Sequence, residues 1–218
     1  MLRSKLPVFL ALACAVAFST ALWAVTAMEF DDFEDGTTQN WAQGASTGQP
    51  TNEPDGGPNG TGDNYLQTVS TGTAGPGSRM AVFNQNQWIG DYASLGSEVV
   101  ITMQLANFGA TAMSIRIGIE ATIPMSPEGG GDRWVTTNAF ALPADGVWRS
   151  ASFTLSTAEM TQVEGSGTLL QALDNVTQFR VVSAASPAWQ GDAIAATLGM
   201  DNVEITQVPV ELMTFSVD

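Results

Sequence analysis

Beyond residue 28 the chain consists of short stretches in which apolar and polar residues alternate, separated by segments rich in Gly, Pro, Asn and Asp. A period of two is typical of β-strands with one buried face, and those four residue types favour turns. The stretches predicted to be strands are 29–33, 64–70, 79–84, 98–106, 113–121, 133–140, 147–155, 177–184 and 195–206. Their regular spacing predicts an all-β fold, a two-sheet antiparallel β-sandwich of the jelly-roll type.

The alternation also predicts which side chains face the core. Ile115, Ile117 and Ile119 fall on one face of their stretch, and Arg116 and Glu120 fall on the other. One apolar and one polar face per sheet is what a two-sheet sandwich requires. The polar faces are therefore expected to be exposed and available to a ligand.

The remaining segments divide into a helical turn, two loops and a chain end. Residues 157–163 follow a Ser-x-x-Glu pattern that favours a helix N-terminus, so one helical turn is predicted there. Segments 44–62 and 124–132 are predicted to be loops from their content of turn-forming residues. The β-jelly-roll domain is expected to span 28–207, and 208–218 is either a last edge strand or a linker stub.

The N-terminal segment 1–27 has the features of a secretory signal. Arg3 and Lys5 precede an apolar run that contains no acidic residue and ends in small residues suited to cleavage. Because the run approaches the roughly 20 residues that span a bilayer, an uncleaved anchor is the alternative. Cys14 lies inside the run, which leaves a lipid anchor as a minor alternative. The protein is expected to be secreted or at the cell surface, with a membrane contact only through an uncleaved N-terminal segment.

Loss of this segment would leave five arginines as the only basic residues against 22 acidic ones, a formal net charge of −17. A chain this acidic is repelled by phosphate backbones, which argues against nucleic acid as a partner. Without His, Cys or Lys it lacks the residues for His-dependent nucleophiles, thiolate chemistry, Cys-ligated metals, Schiff bases and the nucleotide-binding P-loop. Carboxylate chemistry and cation binding through oxygen atoms remain.

Two segments at opposite ends of the expected domain carry a family resemblance. The first reads Phe-Asp-Asp-Phe-Glu-Asp-Gly at 30–36 and is followed by Trp41, and the second reads Leu-Gly-Met-Asp-Asn-Val-Glu-Ile at 198–205. Together with Gly-Asp-Asn-Tyr-Leu at 62–66 and Gly-Val-Trp at 146–148, they resemble the carbohydrate-binding-module-like β-jelly-roll domains of secreted bacterial proteins. The resemblance implies that the first and last strands lie side by side.

The same resemblance implies a structural calcium ion where the opening acidic segment meets the closing Asp. The implied side-chain ligands are Glu34 and Asp201, with backbone carbonyls near Gly36 and around Asp63 and Asn64. Calcium takes about six to eight oxygen ligands in flexible geometry, so this donor set is chemically suitable. The alternative is that the acidic residues of the opening segment are solvated and that Asp201 belongs to a turn.

A carbohydrate site requires an aromatic ring that stacks on a sugar, with planar polar groups beside it. The candidates on polar strand faces and nearby turns are Trp134, Trp148, Arg116, Glu120, Gln104 and Asn138. Structural packing is the alternative for both tryptophans, and Trp148 directly follows a Gly turn. Trp88, Tyr92 and Trp189 lie in loop-like segments and could line a site at the edge of the fold, although packing beneath a loop is the commoner role.

These observations predict an exported, non-catalytic carbohydrate-binding-like module with a structural calcium ion, whose partner is a polysaccharide or a cell-surface glycan. A structural or adhesive cell-surface protein on the same fold, without a sugar site, is the alternative. A sugar binder requires an exposed Trp on a concave face, whereas a structural subunit can bury all six. The third hypothesis, a glycoside hydrolase, needs a carboxylate pair. The Glu-x-Asp-x-x-Glu strand motif of the jelly-roll glycanases is absent from the sequence.

Overall fold

Two antiparallel β-sheets pack face to face in the computed structural model, which describes residues 25, 29–44, 49–75, 77–96, 98–122 and 131–207. The strands within these residues are β1 (Phe30–Asp31), β2 (Thr51–Glu53), β3 (Tyr65–Thr71), β4 (Ala81–Asn84), β5 (Val99–Asn107), β6 (Met113–Ala121), β7 (Asp132–Thr136), β8 (Phe140–Leu142), β9 (Arg149–Leu155), β10 (Met160–Glu164), β11 (Val176–Ser183) and β12 (Ala195–Gln207). The same residues also form a 3-10 turn at Ala93–Leu95 and the helix α1 at Leu169–Leu173.

Each sheet has six strands within the described residues. Sheet A runs in the order β2, β3, β12, β5, β9, and β1 also pairs with β12; sheet B runs in the order β10, β7, β6, β11, β4, and β8 also pairs with β6. The first and last strands pair through Phe30 with Glu204 and through Asp31 with Val203. The predicted all-β sandwich of the jelly-roll type is confirmed, and so is the juxtaposition of its first and last strands.

The core lies between the two sheets and follows the predicted alternation. Ile115, Ile117 and Ile119 of β6 are fully buried and belong to the same apolar cluster as Ile101 and Leu105 of β5. Successive side chains of a strand point to opposite sides of its sheet, so the intervening residues lie on the outer faces.

The segment 184–194, which connects β11 to β12, covers part of the outer face of sheet B. Trp189 of this segment packs with Val135 and Val182 in a second, smaller apolar cluster. The indole ring lies over Gly118 of β6, where a Cβ atom would come within 3.0 Å of the ring. A residue without a side chain at the centre of β6 therefore makes room for the tryptophan.

The helical turn predicted at 157–163 is wrong in its second half. Ser156 accepts two backbone hydrogen bonds and opens a single turn, but the chain then continues as β10, which pairs with β7. A short isolated helix is costly to nucleate and leaves several of its backbone groups without a partner. Pairing with β7 gives these backbone groups partners. The helix forms later, as α1, where Thr168 and Gln171 make a capping box. The Thr-x-x-Gln pattern is the sequence signal for it.

Two further predicted segments differ in detail. The strand predicted at 133–140 is divided into β7 and β8, which pair with different parts of β6. Between them, the Arg116 guanidinium donates to the carbonyl oxygens of Thr136 and Thr137 at 2.8 and 2.6 Å, so a side chain replaces the missing ladder bonds. The loop predicted at 44–62 contains β2, which pairs with β3.

Three of the segments that were predicted from the sequence lie wholly or largely outside the described residues. The predicted signal segment 1–27, apart from Val25, the greater part of the predicted loop 124–132 and the C-terminal segment 208–218 lie outside the described residues. Within the residues that are described, no helix has the length and apolar character needed to cross a membrane.

Candidate functional site

The opening acidic segment supplies a buried carboxylate that two tryptophans hold. Asp31 of β1 is buried, and its Oδ2 atom accepts the indole N–H groups of Trp41 and Trp88, both at 2.6 Å. The side-chain amide of Gln87 donates to both carboxylate oxygens. Burial raises the pKa of Asp31 above its ordinary value, although these hydrogen bonds act to lower it. Asp31 therefore ties β1 to the aromatic core, which makes it a structural residue.

The second buried carboxylate is Asp201, at a bulge in β12 where Asn202 has a left-handed backbone conformation with φ 49°. Asp201 is 1% exposed and accepts the backbone and side-chain N–H groups of Asn202 at 2.7 and 3.0 Å. Burial above all, together with the negative charges of Asp63, Glu34 and Asp32, raises its pKa to about 7. Asp201 is therefore a buried carboxylate on which the negative charges of three other carboxylates act.

The opening turn and β2 bring backbone oxygens to the same region. The Nδ2 atom of Asn52 lies 2.7 Å from the carbonyl oxygen of Phe33 and 2.8 Å from that of Thr37. The Oε1 atom of Glu34 accepts the backbone N–H of Asn64 at 2.9 Å. Rotation of the Asn52 amide would put its oxygen in the place of its nitrogen. After such a rotation, the side-chain oxygen of Asn52 and the two carbonyl oxygens would face one another, an arrangement that a cation could bind.

The remaining calcium ligands implied by the resemblance are nearby. Gly36 turns the chain with φ 75° and donates its N–H to the Phe33 carbonyl, while the Asp63 carboxylate accepts the backbone and side-chain N–H groups of Asn59. Among the described residues, no three acidic side chains are close enough to hold a metal by themselves. Calcium is satisfied by carbonyl as well as carboxylate oxygens, so this oxygen-only donor set fits calcium, whereas metals that prefer nitrogen or sulfur find no such ligand in it. Asn52 was not among the sequence candidates, because its placement depends on β2.

The predicted carbohydrate-binding residues do not come together in one site. They are distributed as follows: Arg116 and Glu120 on the outer face of sheet B, Gln104 and Trp148 on or beside the outer face of sheet A, Trp134 against the main core, and Asn138 exposed in the turn after β7. The physical reason is topological, since β6 belongs to sheet B whereas β5 and β9 belong to sheet A.

Arg116 is a correction to the expectation that the polar faces are open. It is 5% exposed, and its guanidinium donates to the carbonyl oxygens of four residues, two at the end of β7 and two after β11. Glu120 accepts two hydrogen bonds from Arg133. Both side chains are therefore engaged within the protein.

Trp148 belongs to an aromatic cluster on sheet A. Its ring packs edge-on against Tyr65 and Phe108 at centroid distances of 5.3 and 5.8 Å, and its N–H donates to the Gly56 carbonyl at 2.9 Å. The cluster lies over Gly199, where a Cβ atom would be 2.6 Å from Phe108. These contacts hold the indole on several sides, which favours the packing role for Trp148.

None of the five tryptophans within the described residues is exposed. Trp41, Trp88 and Trp189 are buried, and Trp134 and Trp148 are half-buried. In this part of the chain, the exposed tryptophan face that was expected for stacking on a sugar is lacking.

A pocket of about 330 Å³ opens on the outer face of sheet B. Its wall includes Phe83, Arg79, Arg133, Arg180 and Trp189, and several glycines form the rest of its rim. The strand register places Phe83 of β4 directly across from Arg180 of β11. The guanidinium of Arg180 lies 4.0 Å from the ring centroid of Trp189, and that of Arg133 lies 5.0 Å from it. Sheet B thus presents a pocket whose wall combines aromatic rings, glycines and guanidinium groups.

The members of this pocket were missed by sequence reasoning, except that Trp189 was noted as a loop tryptophan that could line a site at the edge of the fold or pack beneath its loop. They come from β4, β7, β11 and the segment after β11, which are far apart in the sequence. A weak signal existed, because arginine is rare in this acidic chain and three of the few arginines line the pocket.

No family model matches this sequence, and no curated protein matches it either. Among solved structures, the chain is similar to the CBM22-1 xylan-binding domain from Paenibacillus barcinonensis Xyn10C, with 14% identity and a TM-score of 0.52 over 86% of this chain and 99% of that one. It is similar to the family 11 carbohydrate-binding module from Clostridium thermocellum, in complex with a β-1,3-1,4-mixed-linked tetrasaccharide, with 15% identity and a TM-score of 0.52 over 85% of this chain and 98% of that one. An exo-β-agarase is similar at 14% identity and a TM-score of 0.57 over 84% of this chain, but the chain spans only 25% of its length. At these identities the similarity shows the fold alone.

Proposed function

We propose that this chain is an exported, non-catalytic module that binds a polysaccharide in the pocket on the outer face of sheet B. The observation that carries the proposal is the pocket itself, which has a volume of about 330 Å³ and is lined by Phe83 and planar guanidinium groups. An aromatic wall with a few polar groups beside it is the usual composition of a site for a small organic ligand. Solved neighbours that match along nearly their whole length are carbohydrate-binding modules, which supports the proposal.

Binding without catalysis is favoured by the lining of this pocket. The described residues that line it include no Asp or Glu. Glycoside hydrolysis generally uses two carboxylates that flank the scissile bond. The pocket therefore offers groups that hold a glycan rather than groups that cleave it.

A calcium ion held by Glu34, Asp201 and the carbonyl oxygens of the opening turn is part of the proposal. The ion would balance the negative charge of the buried Asp201 carboxylate and would join the opening turn to β12. Support comes from the raised pKa of Asp201 and from the convergence of the Phe33 and Thr37 carbonyls on the Asn52 amide. Export is proposed from the N-terminal segment, whose basic start and apolar run have the pattern of a secretory signal.

Glycan binding is tested by affinity electrophoresis and thermal melts of residues 28–218 against a panel of soluble polysaccharides. We expect at least one glycan to retard the protein and to raise its melting temperature, and we expect Phe83→Ala to abolish both effects. Phe108→Ala is the matched control, because Phe108 is a partly exposed aromatic residue of the other sheet. A retardation that survives Phe83→Ala and disappears with Phe108→Ala would place the site on sheet A and contradict the proposal.

Calcium binding is tested separately by melts with EDTA and with millimolar calcium. We expect calcium to raise the melting temperature of the unaltered protein, and we expect Glu34→Gln combined with Asp201→Asn to abolish the rise. Asp35→Asn, which removes a neighbouring exposed carboxylate, should leave the rise intact. If the rise survives the double substitution, the ion is bound elsewhere.

A second candidate function is a structural or adhesive cell-surface protein on the same fold. It is favoured by the absence of an exposed tryptophan among the described residues. The two functions separate in the melts, because a calcium response without any glycan response favours the structural protein.

A further inference from the structure

The positive charge of this acidic chain is concentrated on one face. Of the five arginines that follow the N-terminal segment, Arg79, Arg116, Arg133 and Arg180 lie on or beside the outer face of sheet B. The fifth, Arg149, is on sheet A and pairs with Asp145 at 2.7 Å. In a chain with 22 acidic residues, such a concentration requires a physical reason.

Two of the four arginines are explained by contacts within the protein. Arg116 is buried, and its guanidinium donates only to backbone carbonyl oxygens, including two at the end of β7 where the strand stops before β8. Arg133 forms ion pairs with Glu120 and Glu164. Within the described residues, Arg79 and Arg180 form no ion pair, although the negative charge of Glu120 acts on Arg180 from a distance.

Arg180 is held rigidly in the wall of the pocket. Its two terminal nitrogens donate to the carbonyl oxygen of Trp189 at 2.7 Å and to the side chain of Gln178 at 2.9 Å. Its Nε atom is buried and has no acceptor within the described structure. Burial lowers the pKa of Arg180 to about 10, so the side chain still carries its charge at neutral pH. A fixed and partly desolvated cation is a strong attractor for an anion.

Arg79 enters the same pocket from the segment before β4. One terminal nitrogen donates to the carbonyl oxygen of Gly191 at 2.8 Å, and Nε donates to that of Ala74 at 3.4 Å. The other terminal nitrogen has no acceptor among the described residues, which leaves it for a ligand. The carbonyl contacts fix the guanidinium without neutralising it.

The aromatic rings of the pocket are not open platforms. The Arg180 guanidinium lies over Trp189 at 4.0 Å and over Phe83 at 5.8 Å from the ring centroids. Trp189 itself is only 8% exposed. A ligand entering the pocket therefore meets guanidinium groups as well as part of Phe83. Recognition by charge and by N–H donors is favoured over recognition by stacking alone.

On the basis of the proposed function, we infer that the pocket recognises an acidic polysaccharide through a carboxylate or sulfate ester group that binds Arg79 and Arg180. Guanidinium groups bind such planar or tetrahedral oxyanions through paired, charge-assisted hydrogen bonds. The described lining includes no Asp or Glu, and the two carboxylates beside it, Glu120 and Glu164, are paired with Arg133.

The test uses short oligosaccharides in matched acidic and neutral pairs, with affinities measured by isothermal titration calorimetry. One pair is an oligouronide and its carboxyl-reduced form, and the other is a sulfated oligosaccharide and its desulfated form. We expect at least one acidic member to bind about tenfold or more tightly than its neutral counterpart, the effect of one charged hydrogen-bonding group. The pair that responds distinguishes the carboxylate from the sulfate ester.

Three arginine variants locate the effect. Arg79→Gln and Arg180→Gln should each weaken binding of the acidic member about tenfold or more, whereas Arg149→Gln on the other sheet should change it less than about twofold. Arg79→Lys should recover part of the affinity because it retains the charge. Melting curves identify a variant that fails to fold, and Arg79→Gln carries the test alone if Arg180→Gln does so.

The outcomes separate this inference from the proposed function. Equal binding of acidic and neutral members, or acidic binding that both glutamine variants leave unchanged, overturns the inference while glycan binding stands. Failure of every oligosaccharide and polysaccharide to bind overturns both.

Discussion

The substitution Asp201→Asn tests the electrostatic reasoning about the closing strand, because it removes a buried negative charge and keeps the side-chain shape. The pKa of Asp201 is raised to about 7 in the folded protein, mainly by burial. Between about pH 4 and pH 7 the folded protein therefore holds a proton that the unfolded chain has released. The contribution of Asp201 to the stability of the calcium-free protein is therefore greatest below this window, is lost as the pH rises through it, and levels off above about pH 7.

The magnitude follows from the size of this shift. A rise of about three pKa units corresponds to about 4 kcal/mol of lost stability at pH 8, at about 1.4 kcal/mol per unit. Asparagine cannot accept both hydrogen bonds from Asn202, and this loss offsets about 1 kcal/mol of the stability gained by removing the charge. We expect Asp201→Asn to be about 3 kcal/mol more stable than the unaltered protein at pH 8 in EDTA, and about 1 kcal/mol or less at pH 5.

The assay is urea or thermal unfolding at both pH values, in EDTA and in millimolar calcium. A gain of about 3 kcal/mol should raise the melting temperature by about 6 to 12 °C for a domain of this size. Calcium should raise the stability of the unaltered protein and leave that of the variant unchanged. Glu204→Gln, on the same strand, is the control for loss of one negative charge from this part of the sheet. A variant that is no more stable at pH 8, or whose advantage is the same at pH 5, would refute the reasoning.

Three further predictions concern packing and capping. Asp31→Ala should destabilise the protein by about 3 to 5 kcal/mol in urea unfolding, because two buried indole N–H groups lose their acceptor, whereas Asp35→Ala should cost less than about 1 kcal/mol. Gly199→Ala should cost about 1 to 3 kcal/mol and alter tryptophan fluorescence by displacing the rings that lie over it, and an unchanged Trp148 environment would contradict this. Thr168→Ala should lower the free energy of unfolding by about 1 kcal/mol because it removes the N-cap of α1, whereas Thr168→Ser should retain most of that stability.

Most of the strands and their buried faces were predictable from the sequence, because they depend on local properties, whereas β2 was predicted as part of a loop and β10 as part of a helical turn. Alternation with a period of two sets the side of the sheet on which each residue lies, whatever the neighbouring strand is. Ile115, Ile117 and Ile119 were therefore placed correctly in the core. The exclusion of His-dependent chemistry followed in the same way, since the sequence contains no His. The resemblance at the two ends of the domain correctly implied that β1 pairs with β12.

Only the tertiary structure decided which side chains meet. Trp134 and Trp148 look alike in the sequence, yet one packs against the main core and the other lies over Gly199 on the opposite sheet. Arg79 and Arg180 are about one hundred positions apart, and the pairing of β4 with β11 brings them to one pocket. Strand order and register are set by the burial of the whole apolar surface at once, a property that no local stretch of sequence contains. Most strands could therefore be predicted one at a time, whereas the site that they form could not.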